Sequence, residues 1–207
     1  MHGVHRTIYA DDITIWTSNG SDGQIEIKLQ ESVHKVEQFL AGTGLRLSPG
    51  KSELLLYRPT LKGRTPKGYG GPTQHEEIKI HTQEGIEMPK VRKIKVLGML
   101  IETNGVNGET VNKLTTKVSN VVRLIRRITN NRNGMTEEST IRLIHAFAIS
   151  HIAYVATFHN WSTSKRNKIN VLIRRTFKLA LGVPDSASTK LLLEIGLHNM
   201  LEEITEA

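Results

Sequence analysis

Ile25, Leu29, Val33, Val36 and Leu40 recur at spacings of four and three along the chain. That period is one apolar stripe of an α-helix. Ser21 and Gln24 have capping-box spacing ahead of it. Gly42 and Gly44 supply a stop, so the pattern predicts a helix over 24–41. On the N-terminal side the pattern is that of strands. Arg6–Tyr9 and Ile13–Trp16 are short β-prone runs on either side of Ala10-Asp11-Asp12. This reads as a tight hairpin with both acids at or beside its turn. After the helix, Leu45-Arg46-Leu47 is extended, Ser48-Pro49-Gly50-Lys51 turns, and Glu53–Tyr57 makes a mostly apolar strand. Glu77–His81 and Lys93–Ile101 read as two further strands around a Gln83–Pro89 turn region, together a second hairpin. Between them, Arg58–Gln74 (RPTLKGRTPKGYGGPTQ) has no periodicity and reads as a loop.

From Asn107 the period becomes helical. Val111, Leu114, Val118, Val121, Ile125 and Ile128 form an apolar stripe, with Lys113, Lys117, Arg123, Arg126 and Arg127 on the opposite face. Thr136 can cap a second helix running to about Phe158. Its middle, Ile141–Phe158, is apolar on most sides, so it is expected to be the buried helix. A third runs from about Ser164 to Leu181 and carries Lys165, Arg166, Lys168, Arg174, Arg175 and Lys178. Gly182 and Pro184 stop it. One or two short helices follow from Ser186. Strands around one helix, then helices alone, give an α+β chain: a small antiparallel sheet with a packed helix, followed by an all-α bundle.

Charge sharpens that division. The 207 residues carry a net charge of +8. Thr110–Pro184 holds thirteen of the 28 Lys and Arg but only two of the 20 acids, Glu137 and Glu138. The remainder is slightly acidic. A basic region joined to a mildly acidic one suggests a polyanion partner, most often nucleic acid; a solubilising surface is the other reading. No apolar run reaches membrane-spanning length, so no membrane partner is expected. The stretch MHGVHRTIY lacks the apolar centre of a signal peptide. With no cysteine, disulfides and thiolate zinc sites are excluded, which fits an intracellular protein. The nine histidines show no metal-ligand spacing; His34, His145 and His151 are expected to pack or sit at surfaces. Trp16 and Trp161 read as core or edge aromatics.

The chemistry in the sequence centres on Asp11 and Asp12. Neighbouring carboxylates repel, and a cation removes the penalty. Mg²⁺ takes one or two carboxylates and completes its shell with phosphate oxygens of a substrate. Successive strand side chains point to opposite faces, so two neighbours serve one site only where the backbone bends. A hairpin turn supplies the bend. A solvated Asp-Asp turn is the alternative.

Tyr9-Ala10-Asp11-Asp12 within a hairpin resembles the catalytic loop of reverse transcriptases. The features after it come in that family's order. GLRLSPGKSELLLYRP (44–59) resembles the family's glycine-leucine, strand, lysine motif. KVLGMLIETNG (95–105) resembles the leucine-glycine strand of the primer grip. The basic helical region resembles the thumb of non-LTR (LINE-type) retrotransposon enzymes. The resemblance covers essentially the whole chain. Ser48 departs from it, standing where the family often has Asn.

The resemblance implies an RNA-directed DNA polymerase with two Mg²⁺ ions, an RNA template, a DNA primer and nucleoside triphosphates. It also implies work at chromosomal DNA in the nucleus. Asp11 and Asp12 would be metal ligands, Asp11 the better one, and Tyr9 would pack behind the loop near the primer terminus. Lys51 would protonate the leaving pyrophosphate; a plain turn lysine is the alternative. Leu97 and Gly98 would let the primer backbone pass close; ordinary strand packing is the alternative. The basic residues of the helices would hold phosphates, which position rather than specify; solvated helix faces are the alternative. The implied organisation is a partial palm over 1–57, a basic Gly/Pro loop over 58–75, a primer-grip-like hairpin over 76–106 and a thumb-like helical domain over 107–207. The family's third carboxylate, its fingers and its nucleotide-checking segment have no counterpart before Asp11. The expectation is therefore a C-terminal part of such an enzyme, inactive alone. The competing expectation is a non-catalytic remnant whose basic helices still bind nucleic acid.

Overall fold

In the computed structural model the described residues are 3–58, 78–129, 134–194, 196 and 199–206. Of the expected basic loop, 59–75 lies outside them. The chain forms two compact units, 1–105 and 106–207, and is mixed α+β.

In the first unit, β1 (Val4–Tyr9) and β2 (Asp12–Thr17) pair antiparallel. Helix α1 (Asp22–Thr43) follows and packs beside β2. Ser21 and Gln24 form a reciprocal capping box, and Gly44 ends the helix in the left-handed region at φ 75°. Ile25, Leu29 and Val33 then meet Ile78, Ile80 and Met88, which are buried, with Leu47, Leu54 and Leu56 around them. Each aliphatic side chain fully buried this way contributes about 1.5–3 kcal/mol. Gln30 fixes the register. Its amide donates to the His81 carbonyl at 2.7 Å and accepts from the His81 N–H at 2.8 Å.

Three strand expectations change. Lys93–Ile101 is not one strand. It is a hairpin of β5 (Lys93–Val96) and β6 (Met99–Glu102), turning on Leu97-Gly98. Both turn residues have positive φ, 48° and 84°, the signature of a type I′ turn. Apolar residues on both sides hid the turn, because Leu occupies a position that Asn or Asp usually marks. The 78–81 stretch does not pair with this hairpin but folds against residues 87–88. His81 bridges Glu87, and the Met88 N–H donates to the Ile80 carbonyl at 2.8 Å. The expected strand over 53–57 is reduced to β3 (Leu54–Leu55), parallel to β4 (Lys90–Val91).

The second unit is helical. It contains α2 (Gly108–Ile128), α3 (Glu137–Leu143), α4 (Ser150–Ala156), α5 (Thr163–Ala180), α6 (Thr189–Glu194) and α7 (Leu201–Glu206). A π-helical turn, Ile144–Ile149, joins α3 to α4. The Thr136 hydroxyl accepts from the Ser139 N–H and caps α3. Val111, Leu114, Val118, Val122 and Ile125 of α2 pack with Ile144, Ala148, Ile152 and Ala156, and with Ile169, Ile173, Phe177 and Ala180 of α5.

The helix over 137–156 is not buried all round. Phe147, Tyr154 and, two residues beyond α4, Phe158 stand 55%, 48% and 62% exposed. Its opposite side alone fills the core, because α2 and α5 cover only that side.

Candidate functional site

The β1–β2 ladder closes on the pair Tyr9–Asp12, so Ala10 and Asp11 form a two-residue turn. Ala10 holds the turn with φ 52°. Strand alternation sets Asp12 on the face that also carries Tyr9, Thr7, Thr14, His5 and Trp16. The His5 and Trp16 rings stack across that face, 5.6 Å apart. Asp11 sits in the bend itself. Both acids are exposed, and neither side chain has a hydrogen bond or ion pair among the described residues. The other face carries Ile8, Ile13 and Ile15, with Ile8 63% exposed.

Among the described residues, no three His, Asp or Glu gather where a metal could be held by protein alone. Two unpartnered carboxylates on one hairpin end are the donor set a Mg²⁺ takes when substrate phosphates complete its shell.

Lys51 ends the 3-10 turn Pro49–Lys51 and is exposed, and no hydrogen bond or ion pair joins it to the hairpin. Leu97 and Gly98 occupy the tip of the β5–β6 hairpin. At that tip the backbone, not a side chain, is what a passing strand would meet at Gly98.

In the helical unit, α2 turns Lys113, Lys117, Arg123 and Arg127 outward, opposite its core stripe, with Thr116, Asn120 and Leu124 between them. Arg126 is exposed on the flank. Glu109, in the first turn, is the helix's one acid. The Arg123 guanidinium donates to Asn120 Oδ1 at 3.3 Å.

Helix α5 divides its basic residues. Lys168 and Arg175 are exposed, and Arg174 and Lys165 are half-buried. Arg166 faces α7, where it lies 3.3 Å from a Glu202 carboxylate oxygen. Lys178 is not on a phosphate-facing surface. It is only 7% exposed, and its ammonium donates to the carbonyls of Asp185 at 2.8 Å and Ala187 at 2.7 Å. The chain beyond Gly182 turns back over Lys178 at the end of α5 and covers it.

Four side chains that the sequence reading did not bring together form a row along the helix over 137–156 and the turn just after it: Phe147, His151, Tyr154 and Phe158. Their spacings of four, three and four are one face of a helix, and that was the signal available. The Tyr154 and Phe158 rings meet edge to face at 5.9 Å. Helix α2 packs against the π turn and α4. Burial lowers the pKa of His151 below the ordinary histidine value, and the charge of Lys117 lowers it further. His151, in the middle of the row, therefore lies within electrostatic reach of Lys117.

No family model, curated protein or solved structure matches the chain.

Proposed function

We propose that the chain is the hairpin-bearing and thumb-like part of a non-LTR retrotransposon reverse transcriptase, and that it does not extend a primer by itself. The observation that supports this most is the pair Asp11 and Asp12, exposed and unpartnered at a two-residue hairpin turn. The three motifs that resemble the family, in the family's order, support it further.

On this reading Asp11 and Asp12 would hold Mg²⁺, Asp11 as the chief ligand. When bound, the ion supplies positive charge for activating a primer 3′-hydroxyl and for steadying the transferring phosphate. Tyr9, across from Asp12, would border the primer terminus. Lys51 would give a proton to the leaving pyrophosphate. The Leu97-Gly98 tip would let the primer backbone approach closely. Lys113, Lys117, Arg123, Arg126 and Arg127 of α2, with Lys165, Lys168, Arg174 and Arg175 of α5, would hold template and primer phosphates. Because the family's centre uses a third carboxylate, two alone are expected to bind the ion weakly.

Primer extension on an RNA template tests the activity. No incorporation is expected from the purified chain; template-dependent incorporation that disappears in Asp11→Ala would overturn the inactivity. Reading the coding DNA on the 5′ side tests the family. In-frame codons for a strand-borne carboxylate are expected.

An in-frame stop there would favour a second reading, a non-catalytic nucleic-acid-binding remnant. The acid-poor outer face of α2 supports that one. Gel-shift titrations at two salt concentrations test both, since phosphate binding weakens steeply with salt. No shift at low salt would sink every nucleic-acid role for this chain.

A further inference from the structure

We propose that the exposed row of Phe147, Tyr154 and Phe158, beside helix α2 and its Lys117, is a stacking site for unpaired bases of a single-stranded nucleic acid. The proposal rests on the nucleic-acid reading above and adds which form of nucleic acid is held, and by what.

Three large rings in a row facing water need an explanation, since soluble proteins keep contiguous apolar patches small. Between Glu138 and Asp185 the chain has no acid; the acids of α7, Glu202, Glu203 and Glu206, come to α4 from a later helix. Lys113 and Lys117 are exposed on the neighbouring helix α2, which packs against the π turn and α4. An apolar protein partner would match the rings but not the cations. A polyanion matches the cations, and only one with open base faces matches the rings. In a duplex those faces are covered by neighbouring pairs; in a single strand they are open. Aromatic side chains accept any base, because every base has a π-face.

The edge-to-face contact of Tyr154 and Phe158 holds the two rings at 66° to one another. Stacking on either ring therefore turns the base away from its neighbour, which suits a splayed strand and not a regular helix.

Fluorescence anisotropy of the whole chain with a labelled oligothymidylate about 20 nucleotides long, and with a duplex of equal length, tests the proposal at about 50 and 200 mM salt. Tyr154→Ala and Phe158→Ala are each expected to weaken the single strand about 5- to 100-fold and to leave the duplex unchanged. Phe158→Tyr should restore binding, and Lys117→Gln should lower the salt slope by about one. Phe158→Leu keeps apolar area without the ring and guards against a folding defect; it should bind as weakly as Phe158→Ala.

Single-strand binding that survives all the aromatic changes but falls in Lys117→Gln would overturn the proposal and leave the nucleic-acid reading standing. So would wild-type binding by Phe158→Leu. Self-association abolished by Phe158→Ala, with oligothymidylate binding unchanged, would overturn it in favour of a second copy of the chain. No binding of either probe at the lower salt would remove the nucleic-acid reading and the proposal together.

Discussion

Removing the Lys178 ammonium leaves the carbonyls of Asp185 and Ala187 without that donor in a covered place. Lys178→Met is expected to destabilise the chain by about 1–3 kcal/mol. Lys168→Met, on the exposed side of the same helix, should stay within about 0.5 kcal/mol. Urea unfolding of the two variants checks the contrast. Helical phase does put Lys178 on the outer side of α5, near Val171 and Arg175. What phase does not contain is the later stretch of chain that folds over it. His151 makes a second prediction. Its pKa lies below the ordinary value near 6.5, from burial first and the Lys117 charge second. The unfolded chain therefore takes up this proton more readily than the folded one. Above about pH 6.5 the group contributes no difference. As the pH falls through that value stability drops, and the loss is complete once the folded pKa is passed. Thermal unfolding between pH 7.5 and 5 should show a shallower acid decline in His151→Gln.

The two ends of α1 and the tip of the β5–β6 hairpin differ in how far the local residues determine them. Ser21, Gln24 and Gly44 act through bonds within four residues, so the sequence alone reveals them. Leu97 adopts φ 48° although its branched chain resists that region. The flanking ladder from Lys93 to Glu102 imposes it, and the ladder is a tertiary fact. Leu97→Asn should stabilise the chain by about 0.5–1 kcal/mol by suiting the turn. Gly98→Ala should cost about 1–2 kcal/mol, because a Cβ disfavours φ 84°. Opposite displacements of the urea midpoint are the expected outcome. The aromatic row was hidden for a related reason. Ile141–Phe158 is apolar on most sides, and only the number of packing partners decides how many sides are covered.

Each of the two units has its own core, and the helical core draws every member from residues beyond 106. Produced alone, 106–207 is expected to keep its helical circular dichroism and to unfold cooperatively. Residues 1–105 produced alone should be the less soluble half. The β1–β2 hairpin exposes Ile8, Tyr9, Ile13 and Trp16, and β1 pairs with no strand but β2 among the described residues. A monomeric 1–105 in sedimentation, beside an aggregating 106–207, would reverse that expectation. At this scale the sequence read well where chemistry is local: the carboxylate hairpin and the basic helices were both legible. Which cations stay available was not, because Arg166 is engaged by Glu202 of a later helix and Lys178 by carbonyls of the turn seven and nine residues on.

The π turn between α3 and α4 has a consequence for the gene. A turn bonded five apart holds one residue more than the α turn it replaces. Ile144–Ile149 is therefore a place where a codon can be lost and the helices on both sides keep their phase. Ala146 is exposed there. Its deletion is expected to close the turn into ordinary α-helix and leave the melting temperature within a few degrees. Deleting Ala153 has no such reserve. It would rotate Ala156 by about 100° out of the core, and the variant should lose its cooperative transition.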